Sequence, residues 1–306
     1  MTVDLFHVAA EVGEALRGGR AVVGLETSVI GQGLPFPENR ECVERVDRAI
    51  RAAGAMPAWI GVLGGSIRVG LSEAELTRFT EPGVALKVAR RDYPIAVASE
   101  RPGATTVSAA IWAAERAGIA VCSTGGIGGV HPGDDADISA DLLELARTPG
   151  LLVCSGPKSI LDPAATVERL EELGVAIVGY GVDRLPLFLA RESPVPLEHR
   201  ADTPAGATAM LRAAQALEMR TTILVCNPVP ASCAMDAAEV DAAAREAERR
   251  AEREGIRGKA RTPFALSTLA ELTGGRSLRV NLDLLEDNAR VAGEIAAALE
   301  ETAPAT

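Results

Sequence analysis

The chain predicts an α/β fold, a three-layer α/β/α arrangement with a largely parallel central sheet and a helical C-terminal part. Two observations carry this expectation. Short apolar runs rich in Val, Ile and Leu alternate with longer segments whose apolar residues recur at helical spacing. Such alternation builds parallel strands covered by helices on both faces. From Asp236 to Leu299 the strand-like runs stop, and the chain reads as three helices.

The elements follow in order. Leu5 to Leu16 has helical periodicity and stops at Gly18-Gly19, and Ala21 to Leu25 is a short buried strand. Gly31-Gln32-Gly33-Leu34-Pro35-Phe36-Pro37 reads as a rigid loop before a helix from about Glu38 to Ala53. Trp59 to Leu63 and Ser66 to Val69 flank Gly64-Gly65, a strong hairpin signal. Ser72 followed by Glu75 is a capping box that opens another helix. Ile95 to Ala98 then reads as a strand, Ala104 to Ala117 as a helix and Ile119 to Ser123 as a strand ending in a glycine-rich loop. Helix Ala140 to Arg147, strand Leu151 to Cys154, helix Ala164 to Leu173 and strand Val175 to Val178 continue the pattern. After a Pro-rich excursion come helix Pro204 to Leu217 and strand Thr222 to Val225. Ala237 to Glu254 is dense in Glu and Arg, which suits a solvated helix laced with i,i+4 ion pairs or one face of a subunit contact. With no linker, repeat or low-complexity segment, residues 1–306 read as a single domain.

Composition narrows the function classes. Hydrophobic residues make up 47% of the 306 residues and aromatics only 3%, so the core must be built from Ala, Val, Leu and Ile. A net charge of −11 argues against a nucleic-acid or anionic-membrane partner, which would require clustered positive charge. The five cysteines show no metal-ligand spacing and read as reduced thiols of a cytoplasmic protein. The first ten residues have no basic stretch, and no run approaches the ~20 apolar residues that span a bilayer, so a soluble, non-exported protein is expected.

Only three lysines occur, Lys87, Lys158 and Lys259, among 31 basic residues. A chain that writes nearly every cation as Arg keeps Lys by drift or for what guanidinium cannot do: lose its proton, attack as an amine, or place a compact charge on one oxygen. Four loops hold candidate chemistry. Glu26 sits just past a buried strand, where partial desolvation raises a carboxyl pKa and suits a proton donor, unless the residue simply pairs with an Arg. Ser123 to Gly133 offers five glycines whose N–H groups could approach a phosphate, although it matches neither the dinucleotide nor the Walker pattern. In Asp134-Asp135-Ala136-Asp137-Ile138-Ser139-Ala140-Asp141, the early carboxylates suit a hard divalent ion, while Ser139 and Asp141 suit helix caps. Lys158 follows an apolar strand, and in a dry pocket or beside Lys87 its amine becomes nucleophilic.

At these residues the chain resembles the pseudouridine-5′-phosphate glycosidase family, historically grouped with indigoidine synthase A-like proteins. The matching stretches are Glu26-Thr27-Ser28, Lys87 to Asp92, Gly103 to Val107, Ser123 to His131, Asp137 to Leu142, Lys158 to Asp162, Asn227 to Pro230, Thr262-Pro263-Phe264 and the helix carrying Asn281. They occur in order over nearly the whole chain. The resemblance implies metal-assisted, reversible cleavage of the C–C glycosidic bond of pseudouridine 5′-phosphate to uracil and ribose 5-phosphate, with one Mn²⁺ per subunit. It assigns Lys158 as the Schiff-base nucleophile and Glu26 as the proton donor. Lys87, Val107, Ser139, Ala140, Asp141 and Asn281 are assigned to substrate, and Asp137 to the metal. It also implies a homotrimer. Arg90, Arg91 and His131 would add positive charge for the phosphate.

The chain departs from the family pattern at Pro132, where a basic residue is common, at Ala136, where a bulky one is, and at Pro157, where a small one is. Two other function classes remain open from the sequence. A Schiff-base aldolase acting on a sugar phosphate needs the lysine and no Asp137 metal site. A non-catalytic nucleotide-binding subunit needs the glycine loop and not Lys158.

Overall fold

The computed structural model describes residues 5–81, 83–133 and 137–301; Asp134, Asp135 and Ala136 lie outside them. The strands are β1 Phe6–Val8, β2 Val22–Glu26, β3 Met56–Leu63, β4 Ser66–Val69, β5 Leu86–Val88, β6 Gly103–Thr105, β7 Val121–Ser123, β8 Gly150–Cys154, β9 Ile177–Tyr180, β10 His199–Ala201 and β11 Thr222–Cys226. They form one sheet in the order β1-β4-β3-β2-β7-β8-β11-β9-β10, with β6 pairing β3 and β5 pairing β6. Pairing is parallel except where β3 meets β4 and β6. The helices are α1 Ala10–Arg17, α2 Glu38–Ala52, α3 Glu73–Thr80, α4 Tyr93–Ala98, α5 Val107–Ala117, α6 Ala140–Leu145, α7 Pro163–Glu172, α8 Pro204–Ala216, α9 Ala237–Arg253, α10 Arg261–Leu272 and α11 Arg276–Glu301.

The expected three layers follow from alternation along the central strands. On β8, Leu151 and Val153 join one apolar cluster and Leu152 and Cys154 the other; on β11, Ile223 and Val225 part from Leu224 and Cys226 in the same way. A strand that is apolar on both faces must be covered on both. One cover contains Val46 and Ile50 of α2, Leu211 of α8 and Leu284, Leu285 and Ala292 of α11. The other contains Val12 of α1, Ala110 and Ala113 of α5, Leu142 of α6 and Leu170 of α7. Helix α11 approaches α2 so closely that a Cβ on Gly293 would stand 2.7 Å from that of Ala53. No helix among the described residues is long and apolar enough to cross a membrane.

Several local expectations hold. The Gly64-Gly65 hairpin joins antiparallel β3 and β4, and the Ser72–Glu75 capping box opens α3 with both reciprocal bonds formed. The C-terminal third is helical, with α9 carrying the i,i+4 pairs Arg245–Asp241 and Arg250–Glu246. Other boundaries move. Ile95 to Ala98 belongs to helix α4, opened by Pro94 in its first turn, with Tyr93 and Ala96 buried and Ile95 66% exposed. A four-residue apolar run is too short to show its period. Phe6–Val8 is an edge strand on β4, and the helix begins only at Ala10. Val175 lies outside β9, which starts at Ile177, and β10 forms within the Pro-rich excursion. The loop expected from Gly31 opens instead with a π-helical turn, Val29–Gly33.

Candidate active site

The C-terminal ends of β2, β7 and β8 and the loops after them surround one cavity of about 200 Å³. Open α/β sheets place ligands at this edge, because the loops there diverge from a rigid base. Glu26 is the last residue of β2 and only 6% exposed. Thr124 Oγ1 donates to its Oε1 at 2.5 Å, and Ser28 Oγ donates to its Oε2. Burial pushes the Glu26 carboxyl above its ordinary range, and the Lys158 charge and the two hydroxyls only partly oppose this. The alternative of an arginine partner is not realised: the positive charge that acts on the carboxyl is that of Lys158.

Lys158 is placed by two loops that zip together. Ser155 N–H donates to Gly125 O, Ile127 N–H to Gly156 O and Lys158 N–H to Ile127 O, at 2.8, 3.1 and 3.1 Å. Gly156 has φ +79°, and a Cβ there would stand 2.3 Å from Pro186 O, so the turn requires glycine. Pro157 bridges Ile127 and fits this pairing. Lys158 Nζ donates to Gly126 O at 2.6 Å. Lys87, on β5, lines the same cavity; burial first and the Lys158 charge second lower its pKa. The expected proximity of the two lysines is therefore present.

The glycine loop lines the cavity through Gly125, Gly126, Gly128 and Gly129, and part of its backbone is already engaged. Its Thr124, Ile127, Gly128, Val130 and His131 amides all donate inside the protein. Asp141 explains one of these: its carboxylate accepts from Gly128 N–H at 3.0 Å and from Ser108 N–H, in the open first turn of α5, at 2.9 Å. Asp141 thus ties α6 to the loop and to α5, while Ser139 caps α6 as expected by accepting from Asp141 N–H. Gly128 packs on that cap, since a Cβ there would stand 2.2 Å from Ser139 Oγ. Val107, Ser139, Ala140 and Asn281 all line the cavity.

Asp137 lies at the cavity with Arg261 Nη1 3.1 Å from its Oδ2. Arg261 also grips Glu248, at 2.9 Å from Nε and 2.7 Å from Nη2, and Glu248 Oε1 stands 3.5 Å from His131 Nδ1. Of the expected phosphate cations, Arg91 and His131 line the cavity. Arg90 turns away, donating to Glu144 at 2.7 Å and lying over the Trp112 ring. Lys259, unexplained by the sequence, lines the cavity too and donates to Asp92 Oδ2 at 2.7 Å and to Lys87 O at 3.3 Å.

Two residues escaped the sequence reading. Arg261 stands beside the matched Thr262-Pro263-Phe264 stretch, but nothing in the sequence marks an arginine as buried. Asn288 is fully buried and donates to Thr124 O at 2.9 Å and Gly125 O at 3.2 Å, clamping α11 onto the loop. Its signal was available: it falls at i+4 from Leu284, on the apolar stripe of α11, where a polar residue needs internal partners.

The profile of the indigoidine synthase A like protein family matches residues 11–298. A pseudouridine-5′-phosphate glycosidase of Methylobacterium nodulans is 47% identical, over 98% of this chain and 89% of its own length. One from Gemmatimonas aurantiaca is also 47% identical, over 97% of each chain. Among solved structures, the prealnumycin C-glycosynthase AlnA in complex with ribulose 5-phosphate superposes with a TM-score of 0.89 at 40% identity, over 97% of both chains. An indigoidine synthase A-like protein from Thermotoga maritima superposes equally well, with a TM-score of 0.89 at 39% identity. On that extent of match, the chain belongs to the indigoidine synthase A-like protein family.

Proposed function

We propose that this chain catalyses the reversible cleavage of the C–C glycosidic bond of pseudouridine 5′-phosphate to uracil and ribose 5-phosphate. The observation that carries the reading is one cavity holding a carboxyl whose pKa burial raises, Glu26, together with Lys158, whose charge it feels. Relatives named for this activity match the chain over nearly its full length. A solved relative named as a C-glycosynthase holds a pentose phosphate.

Ordinary glycosidases protonate a leaving oxygen with one carboxyl and use another as base or nucleophile. A carbon leaving group has no lone pair to protonate, so the bonding electrons need another path. When the ribose ring opens, the Lys158 amine bonds to C1′ and the ring oxygen leaves as a hydroxyl. Glu26 protonates uracil C5. The nitrogen lone pair then forms the C1′ iminium as the C1′–C5 pair passes into the conjugated uracil carbonyl. Water hydrolyses the iminium, releasing ribose 5-phosphate and restoring the amine. Guanidinium cannot form that imine, which accounts for Lys158 in an arginine-rich chain. Lys87, Arg91 and Lys259 supply the positive charge for the phosphate.

The described residues contain no group of three His, Cys, Asp or Glu able to cage an ion. Asp137 does offer one hard oxygen ligand at the cavity, which suits a divalent ion such as Mn²⁺ that keeps most of its water. Bound there, the ion would add positive charge for the anionic substrate. Substituting Asp137→Asn should abolish the gain in activity and in thermal midpoint that Mn²⁺ gives chelator-treated protein. The same reading makes the protein a cytoplasmic homotrimer that takes a small-molecule substrate and neither nucleic acid nor membrane; sedimentation tests the trimer. Borohydride trapping with ribose 5-phosphate, followed by peptide mass analysis, tests the chemistry. An adduct on Lys158 is expected, and its absence in active, metal-loaded protein overturns the imine.

A further inference from the structure

Glu26 meets a hydroxyl at each of its carboxyl oxygens, Thr124 Oγ1 at Oε1 and Ser28 Oγ at Oε2. The two hydroxyls are held differently. Thr124 is 3% exposed and locked through its backbone: its N–H donates to Val153 O at 3.0 Å, and its C=O accepts from Asn288 Nδ2 at 2.9 Å. Ser28 is partly exposed, lines the cavity and stands at the N-cap of the π-helical turn Val29–Gly33. A serine at an N-cap ordinarily accepts from a free backbone amide. Ser28 makes no such bond, and its hydroxyl goes to the acid instead.

A donating hydroxyl favours the charged carboxylate, whereas a proton donor must be neutral. When the carboxyl carries its proton on Oε2, the facing hydroxyl has to turn over and accept, pointing its own hydrogen elsewhere. For Ser28 that direction is open to the cavity; Thr124 is enclosed. On the C-glycosidase reading above, on which this step rests, the turn is needed once in every cycle. Protonation of uracil C5 leaves Glu26 as carboxylate, and hydrolysis of the iminium leaves Lys158 as ammonium. One proton must therefore return from Lys158 to Glu26 before the next turnover. We propose that Ser28 is a further catalytic residue, the relay for that proton. The Lys158 ammonium releases it to water in the cavity, and Ser28 Oγ takes a proton from that water as its own O–H proton passes to Glu26 Oε2. Ammonium becomes amine and carboxylate becomes carboxyl, so no charge is left over. Ser28 turns back to donating once Glu26 has given its proton to the next base.

The test follows uracil release from pseudouridine 5′-phosphate, in the first turnover and at steady state, in the wild type, Ser28→Ala and Ser28→Thr. Glu26 starts the first turnover with its proton in place. Ser28→Ala should therefore release a burst of about one uracil per active site and then turn over about tenfold or more slowly than the wild type. Ser28→Thr keeps a hydroxyl and should restore the steady-state rate to within about threefold. The pH profile gives a second arm. The carboxylate loses a donor in Ser28→Ala, so the alkaline limb of kcat/KM should move to higher pH. The other groups that act on that carboxyl are Lys158 after β8, Lys87 of β5, Asp141 of α6 and the Cys42 thiol of α2, and all are kept in the variant. A wild-type steady-state rate in Ser28→Ala, equal slowing of its first and later turnovers, an unmoved alkaline limb, or a Ser28→Thr as slow as Ser28→Ala would each overturn the relay while leaving the glycosidase reading standing. A wild type that does not cleave the C–C bond overturns both.

Discussion

Lys158 Nζ donates to the carbonyl oxygen of Gly126 at 2.6 Å, so the amine proposed as nucleophile rests on the loop that follows β7. The contact fixes the nitrogen against that loop. Replacing Lys158 by Ala removes both nucleophile and contact; replacing it by Arg restores the contact alone. Both variants should lose about 10⁴-fold or more in kcat, the scale seen when a nucleophile is deleted. Equal losses in Ala and Arg variants identify the amine chemistry as what matters. Rescue by Arg in steady-state cleavage would show that charge suffices.

Glu26 makes a signed pH prediction. Its carboxyl is raised above 4.5 by burial, so it remains protonated above the ordinary carboxylate range and loses its proton as pH rises further. Activity that needs the acid should therefore decline on the alkaline side of that pKa, in the kcat/KM profile of the free enzyme. Stability has a matching sign. A raised carboxyl pKa costs folding free energy as pH climbs from the unfolded-state value through the folded one. Glu26→Gln should melt with the wild type at pH 4 and above it at pH 8, and a gap of the opposite sign would rule out the buried-acid account.

Much of this site was legible in sequence because its signals are local. Glu26 after an apolar strand, Ser139 before a helix and the glycine run before Asp137 are each read within a few residues of themselves. The α/β class was legible because alternation averages over many elements. Local confusion came where runs were short, as with Ile95 to Ala98. What stayed hidden was partnership over long separations. Arg90 and His131 read alike as phosphate helpers, yet one engages Glu144 and Trp112 while the other faces the cavity. Asp141 read as a cap or substrate contact; its bond to Ser108 crosses 33 residues, and no sequence window reports it.

That Asp141 bridge supplies the third prediction. One carboxylate satisfies the amides of Ser108 and Gly128, the first of which belongs to the open turn of α5. Asp141→Asn keeps one acceptor and turns an NH₂ toward the other amide, leaving a buried donor unmatched. The cost should be about 1–3 kcal/mol. Urea unfolding at constant slope should register it as a lower midpoint. Activity should fall as well, because the displaced Gly128 loop pairs with the segment carrying Lys158. A variant of unchanged midpoint but lost activity would move Asp141 from scaffold to substrate contact.

Two asparagines on α11, seven residues apart, should separate stability from recognition. Asn288 is fully enclosed: its Nδ2 donates to Thr124 O and Gly125 O, and its Oδ1 accepts from Asn227 Nδ2 at 3.0 Å. Asn288→Ala strands several of these groups in the interior and should cost roughly 2–4 kcal/mol. Asn281 keeps an unpartnered Oδ1 at the cavity, so Asn281→Ala removes no internal bond of that oxygen and should leave the urea midpoint within about 0.5 kcal/mol of wild type. Asn281 lines the cavity, so on the proposed function the same substitution should raise the KM of one substrate about tenfold. Asn288→Ala should instead weaken both substrates together, through the loop that Thr124 and Gly125 begin. If Asn281→Ala destabilised the fold as much as Asn288→Ala, its side chain would be a structural group and not a substrate contact.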